Sequence, residues 1–492
     1  MFSRVLTFTI DGLHPRPVTV EVDIRPGLPA FTIVGLGDAA VRESRERVRA
    51  AIQNSGFDFP QQRITANLAP ASLRKAGPGF DAALALALLA ASGQMPSAYV
   101  TDVAVFGELS LNGELRAVPG ALAVAEGARH HGIARLIVPR DRGGEAALVE
   151  GLQVAAVDGL RDVVDAATGV RIPAPPPPRE LTPLREPELD LADVRGHQLP
   201  LLALEVAAAG AHNLLLEGPP GTGKTMLARR LPSILPPLGQ EEALEVTRIH
   251  SIAGQGGGGL MRARPFRAPH HTISAAGMVG GGPVPRAGEA SLAHRGVLFL
   301  DELAEFARPT LEALRQPLED GYATIVRGQR ALTFPTRVML VAATNPCPCG
   351  FAGAGDHRCQ CTDADLLRYR RRLSGPLLDR IDLMVNVQRP SASELARPPH
   401  TTSAQVRERV LEARDRARHH EVLKPTLEPA AKSAMRSAYD RGDLSPRGRD
   451  RVVRVAQTIA HLHGHARITE EDLMLALLLR QRTTAELPRM AA

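Results

Sequence analysis

Residues 214–231 read LLLEGPPGTGKTMLARRL, in which an apolar strand, a glycine-rich loop and a helix follow one another directly. The loop matches the pattern GxxxxGK[ST] of phosphate-binding loops in the context that the pattern requires. Its glycines let backbone amides close around phosphates, and the helix N-terminus adds a positive dipole. We expect Lys224 to neutralise phosphate charge and the Thr225 hydroxyl to ligate Mg²⁺. The predicted nucleotide-binding residues are Gly218, Pro219, Pro220, Gly221, Thr222, Gly223, Lys224 and Thr225.

Two further apolar runs end in polar side chains. Residues 297–302 read VLFLDE, and residues 338–345 read VMLVAATN. Since α/β sheets bind ligands at the carboxyl ends of parallel strands, we expect Asp301 to hold Mg²⁺ through water and Glu302 to polarise the attacking water. Asn345 would position that water or sense the γ-phosphate. The alternatives are a surface acidic pair and an ordinary turn asparagine.

The 492 residues are enough for about three domains. Residues 1–170 mix β-rich runs with helices, and the Pro-rich residues 171–189 predict an extended linker. Residues 190–390 alternate buried strands with helices, as expected for a parallel sheet with covered faces. Residues 391–492 begin with a loop that extends to about residue 402, after which the pattern is helical in four stretches that end near residue 480. The sequence therefore predicts a multidomain α/β protein with an all-helical C-terminal domain.

Composition limits the classes of partner and compartment. The chain has 59 Lys+Arg against 53 Asp+Glu, a net charge of +6, which permits nucleic-acid partners without requiring them. The longest apolar runs, such as residues 82–91, are shorter than the ~20 residues that span a bilayer. The N-terminus does not have the pattern of a signal peptide. We expect a cytoplasmic protein that is not embedded in a membrane.

All four cysteines lie within fifteen residues. Their spacing is C-x-C-x9-C-x-C, which offers four soft ligands for tetrahedral Zn²⁺, although C-x2-C is the more usual spacing. A redox pair and reduced, unligated thiols are the alternatives. The candidate ligands are Cys347, Cys349, Cys359 and Cys361.

Several longer stretches resemble the YifB/ComM family, in the magnesium-chelatase-like group of AAA+ ATPases. They are RPFRAPHHTISAAGMVGGG at 264–282, PRAGEASLAHRGVLFLDEL at 285–303, SGPLLDRIDL at 374–383 and IVGLGDAAVRESRERVRAAIQNSGFDFP at 33–60. The resemblance implies a homo-oligomeric ring, usually a hexamer, with ATP between subunits. It also implies that residues 190–390 form the AAA+ core and residues 391–492 a helical lid.

The resemblance assigns roles to two arginines. Arg380 in LLDRID is similar to the arginine finger that reaches the γ-phosphate of a neighbouring subunit. A salt bridge with Asp379 or Asp382 is its alternative role. Arg447 is similar to the sensor-2 arginine, for which Arg451 and Arg454 are alternatives. A metal bound to the four cysteines would then lie on the connection between Asn345 and Arg380.

Residues 64–140 also resemble the proteolytic domain of Lon-type proteases, which implies an S5 domain 2-like α+β fold for residues 1–170. Those enzymes use a Ser nucleophile and a Lys base. The serine position falls at about Gly79 or Phe80, and the lysine position falls near Leu122 to Val124. Neither catalytic residue is present, so we expect a catalytically inactive domain.

Two regions are candidates for contact with DNA. Residues 247–290 are rich in glycine, arginine and histidine, and the resemblance places such an insert near the ring's pore. TIVRGQRALT at 324–333 predicts a hairpin with arginines at its tip. Arginines in a pore loop can grip phosphates without reading sequence. A solvated hairpin tip is the alternative. The candidate residues are Arg327, Arg330, Arg264 and Arg267.

The resemblance implies a DNA motor that uses ATP and Mg²⁺, with Zn²⁺ as a further candidate. A ComM-like motor would drive branch migration in homologous recombination, notably in natural transformation. Three other functions remain open: an ATPase subunit of a magnesium chelatase, an ATP-gated assembly platform and an ATP-dependent protease. The missing Ser and Lys positions argue against the protease.

Overall fold

The computed structural model describes residues 1–35, 37–181, 189–282, 286–327, 330–352, 358–373, 375–398, 401–420, 426–442 and 444–480. The strands within these ranges are β1 Phe2–Asp11, β2 His14–Arg25, β3 Ala30–Val34, β4 Arg63–Ala69, β5 Val103–Val105, β6 Glu108–Leu109, β7 Leu115–Arg116, β8 Arg135–Pro139, β9 Gln153–Val157, β10 Arg179–Leu181, β11 Leu214–Glu217, β12 Gly259–Met261, β13 Phe266–Arg267, β14 Gly280–Gly281, β15 Arg286–Ala287, β16 Val297–Leu300, β17 Tyr322–Arg327, β18 Arg330–Pro335, β19 Met339–Thr344 and β20 Leu383–Asn386.

The α-helices are shorter on average in the middle of the chain than near its C-terminal end. They are α1 Ala39–Asn54, α2 Asp81–Ala91, α3 Ala121–His130, α4 Arg140–Ala146, α5 Leu160–Thr168, α6 Gln198–Gly210, α7 Lys224–Ile234, α8 Gln240–Ile252, α9 Ala275–Val279, α10 Glu289–Leu292, α11 Arg308–Ala313, α12 Arg315–Asp320, α13 Asp363–Arg372, α14 Gly375–Leu378, α15 Ala392–Ala396, α16 Ser403–His420, α17 Pro429–Asp440, α18 Pro446–His463 and α19 Glu470–Leu478. No helix of the described ranges has the length and apolarity needed to cross a bilayer.

The chain divides into two compact units. The first takes in the described residues of Met1–Thr182 and Gly239–Arg262, and the second takes in those of Pro183–Leu238 and Ala263–Ala492. The chain therefore passes between the units three times.

The first unit is a seven-stranded mixed sheet with the order β3-β4-β2-β1-β5-β8-β9. Strands β1, β2 and β4 pair antiparallel, and the other neighbours pair parallel. Helix α2, DAALALALLAA, is buried along its whole length and packs against β1 and β2, as expected of a helix that is apolar all round. Its first residue, Asp81, accepts hydrogen bonds from Arg47 and Ser44 of α1, which satisfy the buried carboxylate.

The segment at residues 239–262 differs from the sequence-based division, which placed it in the ATPase core. Helix α8 packs on α3. Strand β12 pairs with β10, which lies inside the stretch expected to be an extended linker. The buried Glu145 carboxylate explains the docking, since it accepts hydrogen bonds from the Ser251 hydroxyl and from the Leu122 amide. Arg142 adds a 2.9 Å hydrogen bond to the Gly256 carbonyl. The hydrophobic periodicity of the sequence does not predict these polar contacts.

The second unit contains the predicted parallel sheet, with the order β13-β16-β19-β11-β20 and all four pairings parallel. One core of this unit joins strand residues such as Leu216 and Val341 to Val410, Val455 and other residues of the C-terminal helices. Helices α16 to α19 lie where helical patterns predicted them. Ser445 caps α18 by accepting a 3.1 Å hydrogen bond from the Gly448 amide.

Candidate nucleotide-binding site

The phosphate-binding loop lies at the carboxyl edge of the parallel sheet. It leaves β11 after Glu217, which is paired with Thr344 at the end of β19. Strand β16 ends nearby, because Leu300 pairs with Ala342. The three polar segments that the sequence singled out therefore meet at one edge of the sheet, where parallel sheets bind ligands.

Backbone conformation or close packing requires glycine at three positions of the loop. Gly221 and Gly223 adopt φ values of 75° and 90°, in the left-handed region that favours glycine. At Gly218 a Cβ atom would collide with the carbonyl oxygen of Val387, next to β20. The loop is thereby held close to two strands before α7 begins at Lys224.

Lys224 joins the loop to the end of β19. Its Nζ donates hydrogen bonds to the carbonyl oxygens of Gly218 at 2.7 Å and Pro219 at 2.8 Å, and to Asn345 Oδ1 at 3.1 Å. Burial lowers the pKa of Lys224, and the nearby Asp301 and Glu302 carboxylates partly oppose that shift. The ammonium and the Asn345 amide thus occupy one small polar site.

Thr225 and Asp301 form the oxygen pair expected for a magnesium site. The Thr225 hydroxyl donates a 2.7 Å hydrogen bond to Asp301 Oδ2. A hydroxyl and a carboxylate are the oxygen ligands, direct or through water, that Mg²⁺ takes beside a bound nucleotide. The residues therefore fit the predicted ion.

Glu302 follows Asp301 in an unusual backbone conformation. Its φ is 51°, and its side chain is largely exposed. Its Oε2 lies 3.8 Å from Nδ1 of His271, in the loop after β13. A positive φ is uncommon in a non-glycine residue and marks a special backbone position at the end of this strand. The sequence marked His271 only as one of the cationic candidates of residues 247–290, and not as a neighbour of Glu302.

Arg380 lies at the opposite edge of the sheet. It precedes β20, and Asn213, which precedes β11, donates a 2.8 Å hydrogen bond to its carbonyl oxygen. Strands β11 and β20 separate these amino ends from the nucleotide loop. Each strand has four residues, which gives a length of about 13 Å at ~3.3 Å per residue. The side chain of Arg380 donates to Glu319 of α12. Arg380 is thus remote from the Lys224 of its own chain.

Arg447 belongs to the neighbourhood of Arg380. The pKa of Glu319 is lowered first by the hydrogen bond and charge of Arg380, and the charges of Arg447 and Arg315 add to that effect. Of the alternatives for the sensor-2 role, Arg451 has its Nε 3.7 Å from Asp382 Oδ1. The charges of both predicted arginines therefore act on one exposed carboxylate, and Arg380 also contacts it.

The four cysteines converge as a metal site requires. The Sγ atoms all lie within 4.8 Å of one another. Cys347 lies 3.3 Å from Cys349 and 3.8 Å from Cys359, and Cys349 lies 3.7 Å from Cys359. Tetrahedral zinc with Zn–S bonds of about 2.3 Å separates its sulfurs by about 3.8 Å. The sulfurs are not joined as disulfides, and the donor set therefore fits Zn²⁺. His357, which lies between Cys349 and Cys359 in the sequence, is outside the described residues.

The cysteine loop touches the nucleotide loop, a relationship that the sequence did not reveal. Gly350 has a φ of 86°, and a Cβ there would lie 2.6 Å from Pro220 Cδ. A hydrogen bond from the Phe351 amide is the main reason why the pKa of Cys349 falls to about 6, which favours its thiolate form. The loop after Asn345 therefore packs directly on the P-loop.

The predicted hairpin exists, with β17 and β18 antiparallel and Arg327 opposite Arg330. Residues 328–329 of its turn are outside the described ranges. Arg264 and Arg267 have other surroundings. Arg267 makes a two-pronged ion pair with Glu289, at 2.6 and 2.8 Å, and Arg264 donates to the carbonyl oxygens of Pro236 and Arg295. Both guanidinium groups are thus engaged in contacts within the chain.

In the first unit the position expected for a serine nucleophile has no room for a side chain. A Cβ at Gly79 would lie 2.5 Å from the ring of Phe106. At the expected lysine position Leu122 is fully buried, and its amide donates to Glu145. A side chain at position 79 would therefore require the Phe106 ring to move.

A second cluster in the C-terminal helices is also rich in metal-ligand types. The buried Asp472 accepts hydrogen bonds from Nδ1 of His463 at 2.8 Å and His465 at 2.9 Å, and from the amide and hydroxyl of Thr469. Four hydrogen bonds satisfy this carboxylate, so the cluster has a structural explanation without a metal: it joins the end of α18 to the start of α19.

Known proteins match along almost the whole chain. Family models described as "Magnesium chelatase, subunit ChlI", "Subunit ChlI of Mg-chelatase" and "Magnesium chelatase, subunit ChlI C-terminal" match residues 190–395, 20–142 and 400–480. Lon protease 2 of Thermus thermophilus is 30% identical over 141 residues, which cover 26% of this chain and 17% of that protein.

Two relatives match over nearly their full length. YifB of Escherichia coli is 43% identical over 493 residues, covering 97% of each chain. The competence protein ComM of Haemophilus influenzae is 40% identical over 497 residues, covering 95% of each chain. At this identity and coverage, the chain belongs to the YifB/ComM family of magnesium-chelatase-like AAA+ proteins.

Proposed function

We propose that this protein is an ATP-hydrolysing ring motor that acts on DNA, as a cytoplasmic, ComM-like branch-migration helicase in homologous recombination and natural transformation. The observation that carries the proposal is the meeting of Lys224, Thr225, Asp301 and Asn345 at the carboxyl edge of one parallel sheet. This set of side chains serves to bind and hydrolyse a nucleoside triphosphate.

Within the site each side chain has a role in hydrolysis. Lys224 neutralises phosphate charge, and Asn345 shares a hydrogen bond with it and so lies beside the reacting phosphate. Thr225 and Asp301 hold Mg²⁺, which supplies charge neutralisation at the phosphates when it is bound. Glu302 is the general base that polarises the attacking water.

The position of Arg380 supports an oligomer. An arginine finger at the amino edge of the sheet does not serve the nucleotide loop of its own chain, which lies at the carboxyl edge. It serves the loop of a neighbour if subunits pack edge to edge in a closed ring. We propose a homo-oligomer, with a hexamer as the expected size, in which Arg380 and Arg447 act on the neighbour's ATP.

The hairpin of β17 and β18 supports the action on DNA. Its tip places two arginines opposite each other, and such cations bind the phosphate backbone of single-stranded or branched DNA without reading sequence. The relative named as a competence protein supports a role with incoming DNA.

We also propose that the four cysteines bind one structural Zn²⁺. The metal would close the loop that follows Asn345 and hold Gly350 against Pro220. Zinc would then stabilise the arrangement of the nucleotide loop rather than take part in the chemistry.

A second candidate function is the ATPase subunit of a magnesium chelatase. The descriptions of the three matching family models favour it. Such a subunit would hydrolyse ATP without stimulation by DNA, and so would an ATP-gated assembly platform.

A comparison of hairpin variants tests the proposal. We expect Arg327→Ala combined with Arg330→Ala to weaken DNA binding at least about ten-fold and to flatten its salt dependence, because two phosphate contacts are lost. The control is Arg436→Ala, since Arg436 is an exposed arginine of α17. Equal DNA binding by the two variants would contradict the assignment of the hairpin.

A further inference from the structure

Arg380 is held both at its backbone and at its side chain. Asn213 fixes its backbone with the hydrogen bond to the Arg380 carbonyl, and the same Asn213 accepts a 2.8 Å hydrogen bond from the Leu340 amide of β19. Glu319 accepts a hydrogen bond from the guanidinium. The Arg380 side chain is 14% exposed, whereas that of Glu319 is 61% exposed. Glu319 therefore holds the finger from the solvent side.

Glu319 belongs to the base of the hairpin as well. It lies near the end of α12, and Gly321 and Thr336 connect that helix to β17 and β18. The Gly321 amide donates to the Pro317 carbonyl at 3.0 Å, and the Thr336 hydroxyl donates to the same carbonyl at 3.1 Å. The Thr336 amide donates to the Gly321 carbonyl at 2.7 Å. The base of the hairpin is thus hydrogen-bonded to α12, the helix that carries Glu319.

An exposed ion pair contributes little to folding stability. The Glu319 carboxylate nevertheless faces Arg380 directly and lies within the field of Arg447 and Arg315. The position of Glu319 suits the orientation of the Arg380 guanidinium more than the stabilisation of the fold. Orientation matters because the effect of an arginine finger on the rate of hydrolysis depends on where the finger is placed.

We propose that Glu319 is a positioning residue that orients Arg380 toward the nucleotide of the neighbouring subunit and couples this orientation to the β17–β18 hairpin. DNA held by the hairpin then changes the rate of hydrolysis in the neighbour through α12. This inference rests on the proposed function, because it takes Arg380 to act on a neighbouring chain.

The test uses mixed oligomers of two full-length variants. Glu302→Gln supplies a finger but does not hydrolyse ATP, and Arg380→Ala supplies an intact nucleotide site without a finger. Mixing the two should restore turnover that neither variant has alone. Glu319→Gln is then added to one partner at a time, and Glu312→Gln serves as the matched control because Glu312 forms another exposed pair, with Arg308.

We expect Glu319→Gln to lower the DNA-stimulated turnover of the mixture about ten-fold when it is in the finger-supplying chain, and by less than about two-fold when it is in the Arg380→Ala chain. A general loss of fold would affect both placements alike. Equal effects of the two placements, or no effect of either, would overturn the role of Glu319 alone. If the unmodified mixture does not recover turnover, the finger acting between chains is overturned, and this inference with it.

Discussion

The Thr225 hydroxyl donates a 2.7 Å hydrogen bond to Asp301, although the two residues come from motifs 76 positions apart in the chain. The contact joins the start of helix α7 to the end of strand β16. It arises because β11 and β16 both pair with β19, so their carboxyl ends lie at one edge of the sheet. Two motifs with separate sequence signatures thereby become one site for a cation and a phosphate chain.

Replacement of Thr225 by valine should lower ATP hydrolysis at least about 100-fold, because the side chain keeps its volume but loses its oxygen ligand. Thr225→Ser is the matched control, since it keeps the hydroxyl, and it should retain most of the activity. Turnover measured over a titration of Mg²⁺ checks the prediction. Equal magnesium dependence in the two variants would contradict the magnesium role of Thr225.

Cys359→Ser should reduce bound zinc from one per chain to a small fraction and lower ATP turnover several-fold, because tetrahedral coordination needs all four thiolates. Metal content and turnover are measured on the same preparation. If both stay at the level of the unmodified protein, the cysteine cluster is not a metal site that supports the nucleotide loop.

Gly350→Ala separates the packing of the cysteine loop from its metal. The added methyl would press on Pro220 and is strained at a φ of 86°, so we expect weaker ATP binding with zinc content unchanged. Nucleotide affinity and metal analysis check this prediction together. Normal ATP affinity in this variant would show that the contact between the loops does not shape the nucleotide site.

A serine placed at the expected nucleophile position should not create a peptidase. Gly79→Ser would collide with the Phe106 ring and should destabilise the first unit by about 1–3 kcal/mol. Gly239→Ser is the control, because the space around Gly239 is open and serine is a favourable residue before a helix. Thermal melting and a peptidase assay measure the outcomes, and an active protease would refute the interpretation of the fold.

Asp472→Asn should destabilise the second unit by about 2–3 kcal/mol at neutral pH, since a charge-assisted network of four hydrogen bonds is broken. Burial raises the pKa of Asp472, but hydrogen bonds from His465, Thr469 and His463 outweigh it, so the net pKa is lowered. A lowered folded pKa contributes stability that is complete above the unfolded value of about 3.9 and is lost as pH falls through the folded value. The difference between the variants should therefore shrink below about pH 4. A difference that stays constant in acid denaturation curves would exclude the carboxylate as its source.

The sequence was informative where a local motif carries the chemistry. The P-loop, the acidic end of β16 and Asn345 were each predicted from an apolar run followed by polar residues, and the parallel sheet follows from their alternation with helices. The hairpin and the C-terminal helices were predicted in the same way, from turn residues and helical periodicity.

The sequence was not informative where tertiary contacts decide. Residues 239–262 pack within the first unit through hydrogen bonds that involve the buried Glu145 carboxylate. No local sequence pattern predicts which residues donate these hydrogen bonds. The contact between Gly350 and Pro220 joins two segments that are far apart in the sequence, and no local pattern predicts it. The same is true of the pairing between Arg380 and Glu319. Arg264 and Arg267 lie in a segment with the composition of a DNA-binding region, but their acceptors are two loop carbonyl oxygens and the Glu289 carboxylate of α10, which no local pattern predicts.

The most direct measurement of the central claim is ATP turnover by the purified protein with and without single-stranded and forked DNA, beside Glu302→Gln. The account predicts strong stimulation by DNA that weakens as salt is raised, because phosphate contacts release counterions, and almost no turnover in the Glu302 variant. Turnover that depends on Glu302 but is unchanged by either DNA would contradict a DNA motor and favour the chelatase subunit or the assembly platform.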